Sequence, residues 1–276
     1  MKKEIPYSTA FLILGGSMML VASLFFSGRY LYDYILHSRF EDERYNIQYI
    51  YGASATSDAI DTSYLAELLN LSQDSPTNIY AFSERHGEAL LKQTPIFQEV
   101  HLKKKMPDAL SVKYVLREPV ASIGGYQNTV IDSSGVPFPL RPYFSPKNLP
   151  RIFLPDVTVE YGVSIVSKPL NQALFILHML EGFTISLIDM RYVSAGSLGK
   201  RSITVVFQNE HSRHFVRLPV KEYQTALSNY LEMRGELLVQ ERDQQKEETV
   251  VDLRLPGYGY VSSLPVAKSI AEEEAS

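Results

Sequence analysis

Four groups of residues have the types and spacing to do chemistry. Ser197-Leu198-Gly199-Lys200 matches the Ser-x-x-Lys pattern, in which a lysine accompanies a nucleophilic serine. That chemistry needs the serine at a helix start and Ser-x-Asn and Lys-Thr-Gly partner motifs. Here Gly196 and Gly199 favour a turn, and no Lys-Thr-Gly exists. His211 and His214 are three positions apart and could ligate a metal from a turn, but no third ligand of known geometry accompanies them. A solvated turn between strands is the expectation there. Asp132, with Ser133, Ser134 and Gly135, has turn chemistry and no second carboxylate paired with it for acid–base work. Lys103, Lys104 and Lys105 read as a solvated strand end, the kind of charge that discourages edge pairing.

The elements that would carry these residues follow from the hydrophobic pattern. Phe97 to Ala121 reads as a β-hairpin turning at Met106-Pro107-Asp108. Leu110, Val112, Tyr114 and Leu116 alternate with polar residues, the period of a strand buried on one face. Arg117-Glu118-Pro119 ends that strand, because proline cannot donate to a sheet ladder. Upstream, Ile47 to Gly52 reads as a strand. Tyr64, Leu65, Leu68 and Leu69 have helical spacing, with Asp61 or Thr62 as N-cap. A second helix starts after Ser83 and stops at Thr94-Pro95. The order is strand, helix, helix, strand, strand.

After Pro119 short strands recur, at Tyr126 to Ile131, Ile185 to Val193, Lys200 to Gln208, His214 to Leu218 and Thr249 to Leu255. Pro137 to Pro155 is proline-rich and is expected to run extended over the surface. Two helices interrupt the strands. The first, Pro169 to Gly182, places Leu170, Ala173, Leu174 and Leu177 in one stripe; the second, Lys221 to Gln240, does so with Tyr223, Ala226, Leu227, Tyr230 and Leu237.

Composition narrows the classes. The chain has 276 residues and a net charge of −4, too mild and mixed for a nucleic-acid partner. It has no cysteine, which excludes disulfides and zinc–thiolate sites. Thr9 to Phe26 carries no charge over eighteen positions, enough for a helix of about 27 Å, near the hydrocarbon thickness of a bilayer. Tyr7 on one side and Tyr30, Tyr32 and Tyr34 on the other suit an aromatic belt. Leu24, Phe25 and Phe26 occupy the places where a cleavable signal needs small residues, so an uncleaved anchor is expected. The expected organisation is a short cytoplasmic tail at 1–8, a transmembrane helix at 9–28, and a linker at 29–45 whose charged part is Ser38 to Arg44. A small domain at 46–117, a β domain at 118–264 and an acidic tail at 265–276 follow. The fold class is α+β, with the larger domain mostly antiparallel.

In this order the motifs resemble the FtsQ/DivIB family, the bitopic cell-division proteins of bacteria. Residues 46–117, including Ser75-Pro76-Thr77-Asn78 between the helices, resemble the family's POTRA domain, and Pro107-Asp108-Ala109-Leu110 resembles its Pro-Asn-Thr-Leu turn. Arg117-Glu118-Pro119-Val120-Ala121 resembles the joint after that domain. Val130-Ile131-Asp132 with Gly135 and Phe138 resembles a hairpin of its β domain, and Val251-Asp252-Leu253-Arg254 its Asp-Leu-Arg strand.

The resemblance implies an inner-membrane scaffold with its bulk in the periplasm at the division septum. It implies no catalytic activity, cofactor, metal or small-molecule substrate. The implied partners are FtsB- and FtsL-type membrane proteins, and through them the septal peptidoglycan synthases FtsW and FtsI. The last strands pair with FtsB in the family, which places Arg254, Leu255, Gly257, Tyr258, Tyr260 and Val261 at the contact. Leu255 stands where the family usually has an aromatic residue, and Pro256 should interrupt or shift the pairing. Tyr258 and Tyr260 have a simpler alternative as an aromatic pair capping the core. Two other functional readings stay open. A POTRA-containing secretion or outer-membrane assembly component would need a barrel, for which no series of lipid-facing strands is visible. A membrane-anchored wall enzyme would have to rely on Ser197.

Overall fold

The computed structural model describes residues 7–56, 58–208, 212–244 and 248–263. It is α+β, with five α-helices, a three-stranded sheet and a nine-stranded mixed sheet among the described residues. The expected acidic tail at 265–276 and most of the expected N-terminal tail lie outside them. The chain divides into two compact units: residues 1–92 with 99–115, and residues 93–98 with 116–276.

The first unit begins with helix α1, Tyr7–Glu41. Among the described residues no helix is long and apolar enough to cross a membrane. The segment Ser38 to Arg44, expected as a charged linker, has regular structure over most of its length. The helix continues to Glu41, and a 3-10 turn, Glu43–Tyr45, follows with the Asp42 carboxylate accepting from the Arg44 N–H. Strand β1 (Tyr49–Ser54), helix α2 (Thr62–Leu68), helix α3 (Glu84–Gln93), strand β2 (Phe97–Lys105) and strand β3 (Ala109–Leu116) complete the unit in the expected order. The Asp61 carboxylate accepts from the Ser63 N–H at 2.9 Å and caps α2, and the Ser83 hydroxyl accepts from the His86 N–H at the start of α3. The sheet order is β1-β3-β2, with β1 and β3 parallel. Leu110, Val112, Tyr114 and Leu116 are all buried, as their alternation requires.

The second unit holds β4 (Ala121–Ile123), β5 (Thr129–Ile131), β6 (Pro137–Pro139), β7 (Arg151–Phe153), α4 (Lys168–Met179) and β8 (Ile185–Asp189). It continues with β9 (Ile203–Gln208), β10 (Arg213–Leu218), α5 (Tyr223–Gln244), β11 (Glu248–Asp252) and β12 (Tyr260–Ser263). Their order in the sheet is β12-β11-β10-β9-β8-β7-β4-β5-β6. Five of its eight pairings are antiparallel, and β10–β11, β4–β7 and β7–β8 are parallel. Parallel neighbours need a crossover, and α5 supplies the one between β10 and β11.

The stripe predicted for that helix is the one it buries: Tyr223, Ala226, Leu227, Tyr230 and Leu237 join the core with Ile123, Ile152, Val205, Phe207 and Val216. Each fully buried Ile or Leu there contributes on the order of 1.5–3 kcal/mol. On α4 the buried residues are Leu170, Ala173 and Ile176, while Leu174 and Leu177 are half-buried. Two expectations fail here. The proline-rich Pro137–Pro155 segment does not run over the surface throughout: residues 140–150 are largely exposed, but its two ends supply edge strand β6 and interior strand β7, with Phe138 and Ile152 both 0% exposed. His214 is not in a solvated turn either. It lies in β10 at 0% exposure, with Nδ1 2.7 Å from the Tyr230 hydroxyl. His211 lies outside the described residues.

Candidate functional site

The residues singled out near the C-terminus converge on one end of the larger sheet. β11 ends at Asp252, three residues short of the expected Leu255, because the chain turns at Leu255-Pro256-Gly257-Tyr258. The Tyr258 N–H donates to the Leu255 carbonyl at 3.2 Å, and Gly257 has a φ of 77°. Proline second and a left-handed glycine third are the residues such a turn demands. Pro256 therefore lies in the turn, before the strand begins, and removes no donor from the edge.

β12 then returns antiparallel to β11, with Tyr260 opposite Asp252 and Val261 opposite Val251. It is the last strand of the sheet, so one of its edges has no neighbour among the described residues. Tyr258 is 73% exposed and Tyr260 69%, so the two do not cap the core. Leu255 and Val261 are exposed as well. A strand edge with no neighbour among the described residues, flanked by exposed tyrosines, is the kind of surface that a further strand can extend.

Arg254 departs from this group. Its guanidinium turns inward, donating from Nε and Nη2 to the Asp252 carboxylate and from Nη1 to the Gly199 carbonyl. Burial pushes the Asp252 carboxyl up, but the hydrogen bonds and charge of Arg254, helped by Arg217, outweigh it and hold that carboxyl below the usual range. Arg254 is correspondingly raised, first by the same hydrogen bond. This arginine braces the end of β11, which positions the turn.

Beside the turn lies a recess of 680 Å³ lined by Leu198, Arg201, Val220, Lys221, Leu255 and Tyr260, among others. No sequence pattern marked it, since its walls come from three separate loops. The Ser-x-x-Lys segment forms part of its rim. Ser197 precedes a 3-10 turn, Leu198–Lys200, rather than an α-helix, and its hydroxyl makes no capping bond. Asp132 is a turn residue as expected, accepting from the Ser134 and Val136 N–H groups. Lys103 and Lys105 are exposed, and Lys105 Nζ stands 4.7 Å from the centre of the Tyr51 ring. Among the described residues no three His, Asp or Glu side chains converge as metal ligands.

No family model matches the chain, and a search of curated proteins finds no match either.

Proposed function

We propose that this chain is a bitopic scaffold of the bacterial divisome that binds an FtsB-type partner by adding the partner's strand to β12. The observation that carries the reading is the outer edge of β12, which has no neighbour among the described residues and is flanked by Tyr258 and Tyr260 at 73% and 69% exposure. Edge pairing supplies main-chain hydrogen bonds, and the flanking side chains supply selectivity. In this reading the uncharged run Thr9 to Phe26 anchors α1 in the inner membrane, with the N-terminus cytoplasmic and the bulk periplasmic. The protein acts by holding FtsB- and FtsL-type proteins, and through them FtsW and FtsI, at the septum. It carries out no reaction itself.

The test is co-purification of the full chain with an FtsB-type partner. Tyr260→Glu, and separately Tyr258→Glu, should abolish capture while leaving the thermal unfolding midpoint in place. Undiminished capture by both variants would remove β12 as the contact. Depletion of the protein in cells should block division while growth continues, giving filaments under the microscope.

A further inference from the structure

Helix α1 ends with its last carbonyls turned toward a single side chain. The Nδ2 amide of Asn78 donates to the Arg39 carbonyl at 2.9 Å, the Phe40 carbonyl at 3.1 Å and the Asp42 carbonyl at 3.4 Å. The last four carbonyls of a helix have no partner inside it, so a side-chain donor placed there holds the helix end. Asn78 is 9% exposed, and its Oδ1 accepts from the Tyr80 N–H at 2.9 Å. It is thus oriented by its own loop before it reaches the helix.

Around this amide the contact is reinforced twice. The Tyr80 ring packs against Phe40 and Tyr45, at 6.1 and 5.1 Å between centroids. Arg39 lies over the same ring and donates from Nη1 to the Tyr80 hydroxyl at 3.0 Å. Beyond the helix, the Ile47 N–H donates to the Thr77 carbonyl and the Ile79 N–H to the Tyr45 carbonyl, so the chain leaving α1 is strapped to the loop that carries Asn78. No glycine lies between Gly28 and Gly52, so no flexible residue interrupts this passage.

We infer that α1 and the small αβ module behind it are one rigid body, with Asn78 as the pin. The thirteen residues from Arg29 to Glu41 then form a stalk of about 20 Å. The stalk fixes both the distance of the module from Gly28 and its rotation about the helix axis. A face of α1 is therefore in register with a face of the module, and a partner that engages the helix also orients the module. This inference stands without the division reading, because it rests on contacts within the first unit alone.

The chain has no native cysteine, so paired labels can be placed cleanly. Nitroxides at Ile35→Cys on α1 and Gln73→Cys on the module, in the full chain in detergent micelles, should give one narrow distance peak by double electron–electron resonance. Asn78→Asp keeps the size of the side chain and its acceptor to Tyr80 while replacing the amide donor with a carboxylate facing three carbonyls. It should abolish the narrow peak without moving the module's unfolding midpoint. A broad distribution in the unsubstituted background, or a narrow peak retained in Asn78→Asp, would overturn the inference.

Discussion

The Arg117 guanidinium donates from Nη1 to the Asp132 carboxylate at 2.7 Å, with the two side chains only 17% and 10% exposed. Nε of the same arginine donates to the Pro95 carbonyl at 2.9 Å, and Asp132 accepts two further bonds from its own turn. One residue of the sequence joint thus ties the segment before β2 to the β5–β6 turn inside the second unit. Removing one partner of a buried pair leaves the other charge uncompensated. Arg117→Met should therefore destabilise the fold by about 3 kcal/mol. Urea unfolding would show it, and an unchanged midpoint would contradict the bracing role.

The Asp252–Arg254 pair predicts a dependence on pH. The Asp252 carboxyl titrates lower folded than unfolded, because Arg254 and Arg217 outweigh its burial. The stability it contributes is complete above the unfolded value, about pH 4, and is lost as the pH falls through the lowered folded value. The stability difference between the natural chain and Asp252→Asn should accordingly hold at neutral pH and shrink below about pH 4. A difference that stays constant from neutral pH down to about pH 2 would refute the linkage.

Gly124 lies against the ring of Phe153, and a Cβ there would collide with Cδ1 of that ring. The ring also holds the Arg191 guanidinium, 4.6 Å from its centre. Gly124→Ala should cost about 1–3 kcal/mol by overpacking. Combining it with Phe153→Leu should recover much of the loss in a thermal melt. If the single variant melts like the parent chain, the close approach carries no energetic weight.

The outer edge of β2 is closed by its own helix. The Leu102 N–H donates to Glu88 at 2.9 Å and the Lys104 N–H to Glu84 at 2.6 Å, so carboxylates one helical turn apart occupy two edge donors. The bond from Leu102 is the main cause that holds the Glu88 carboxyl below its usual range. Glu84→Ala with Glu88→Ala should open that edge and produce concentration-dependent association in analytical ultracentrifugation. A double variant that sediments as the parent at every concentration would show that the edge needs no cover.

Local periodicity was enough to place much of this fold. The stripe of α5 from Tyr223 to Leu237, the alternation of β3 and the Asp61 cap each depend on residues within a few positions of one another, and each appears where the pattern put it. Of the residues that the family resemblance implies at the contact, Leu255, Gly257, Tyr258, Tyr260 and Val261 are exposed and Arg254 is turned inward, an arrangement that no local pattern contains. Tertiary structure alone decided the rest. β7 is three residues long between prolines, too short to show a period, and becomes a strand only because β4 and β8 accept it. His214 is placed at a strand start by its own pattern, but its buried setting depends on Tyr230, sixteen positions away, whose hydroxyl lies 2.7 Å from Nδ1. Asn78 reaches back 39 residues to hold α1. That β12 is an edge, and Pro256 a turn residue before it, follows from which strands find partners. A strand's own residues set its faces, but hydrogen bonds to distant segments set its neighbours, and only the folded chain brings those segments together.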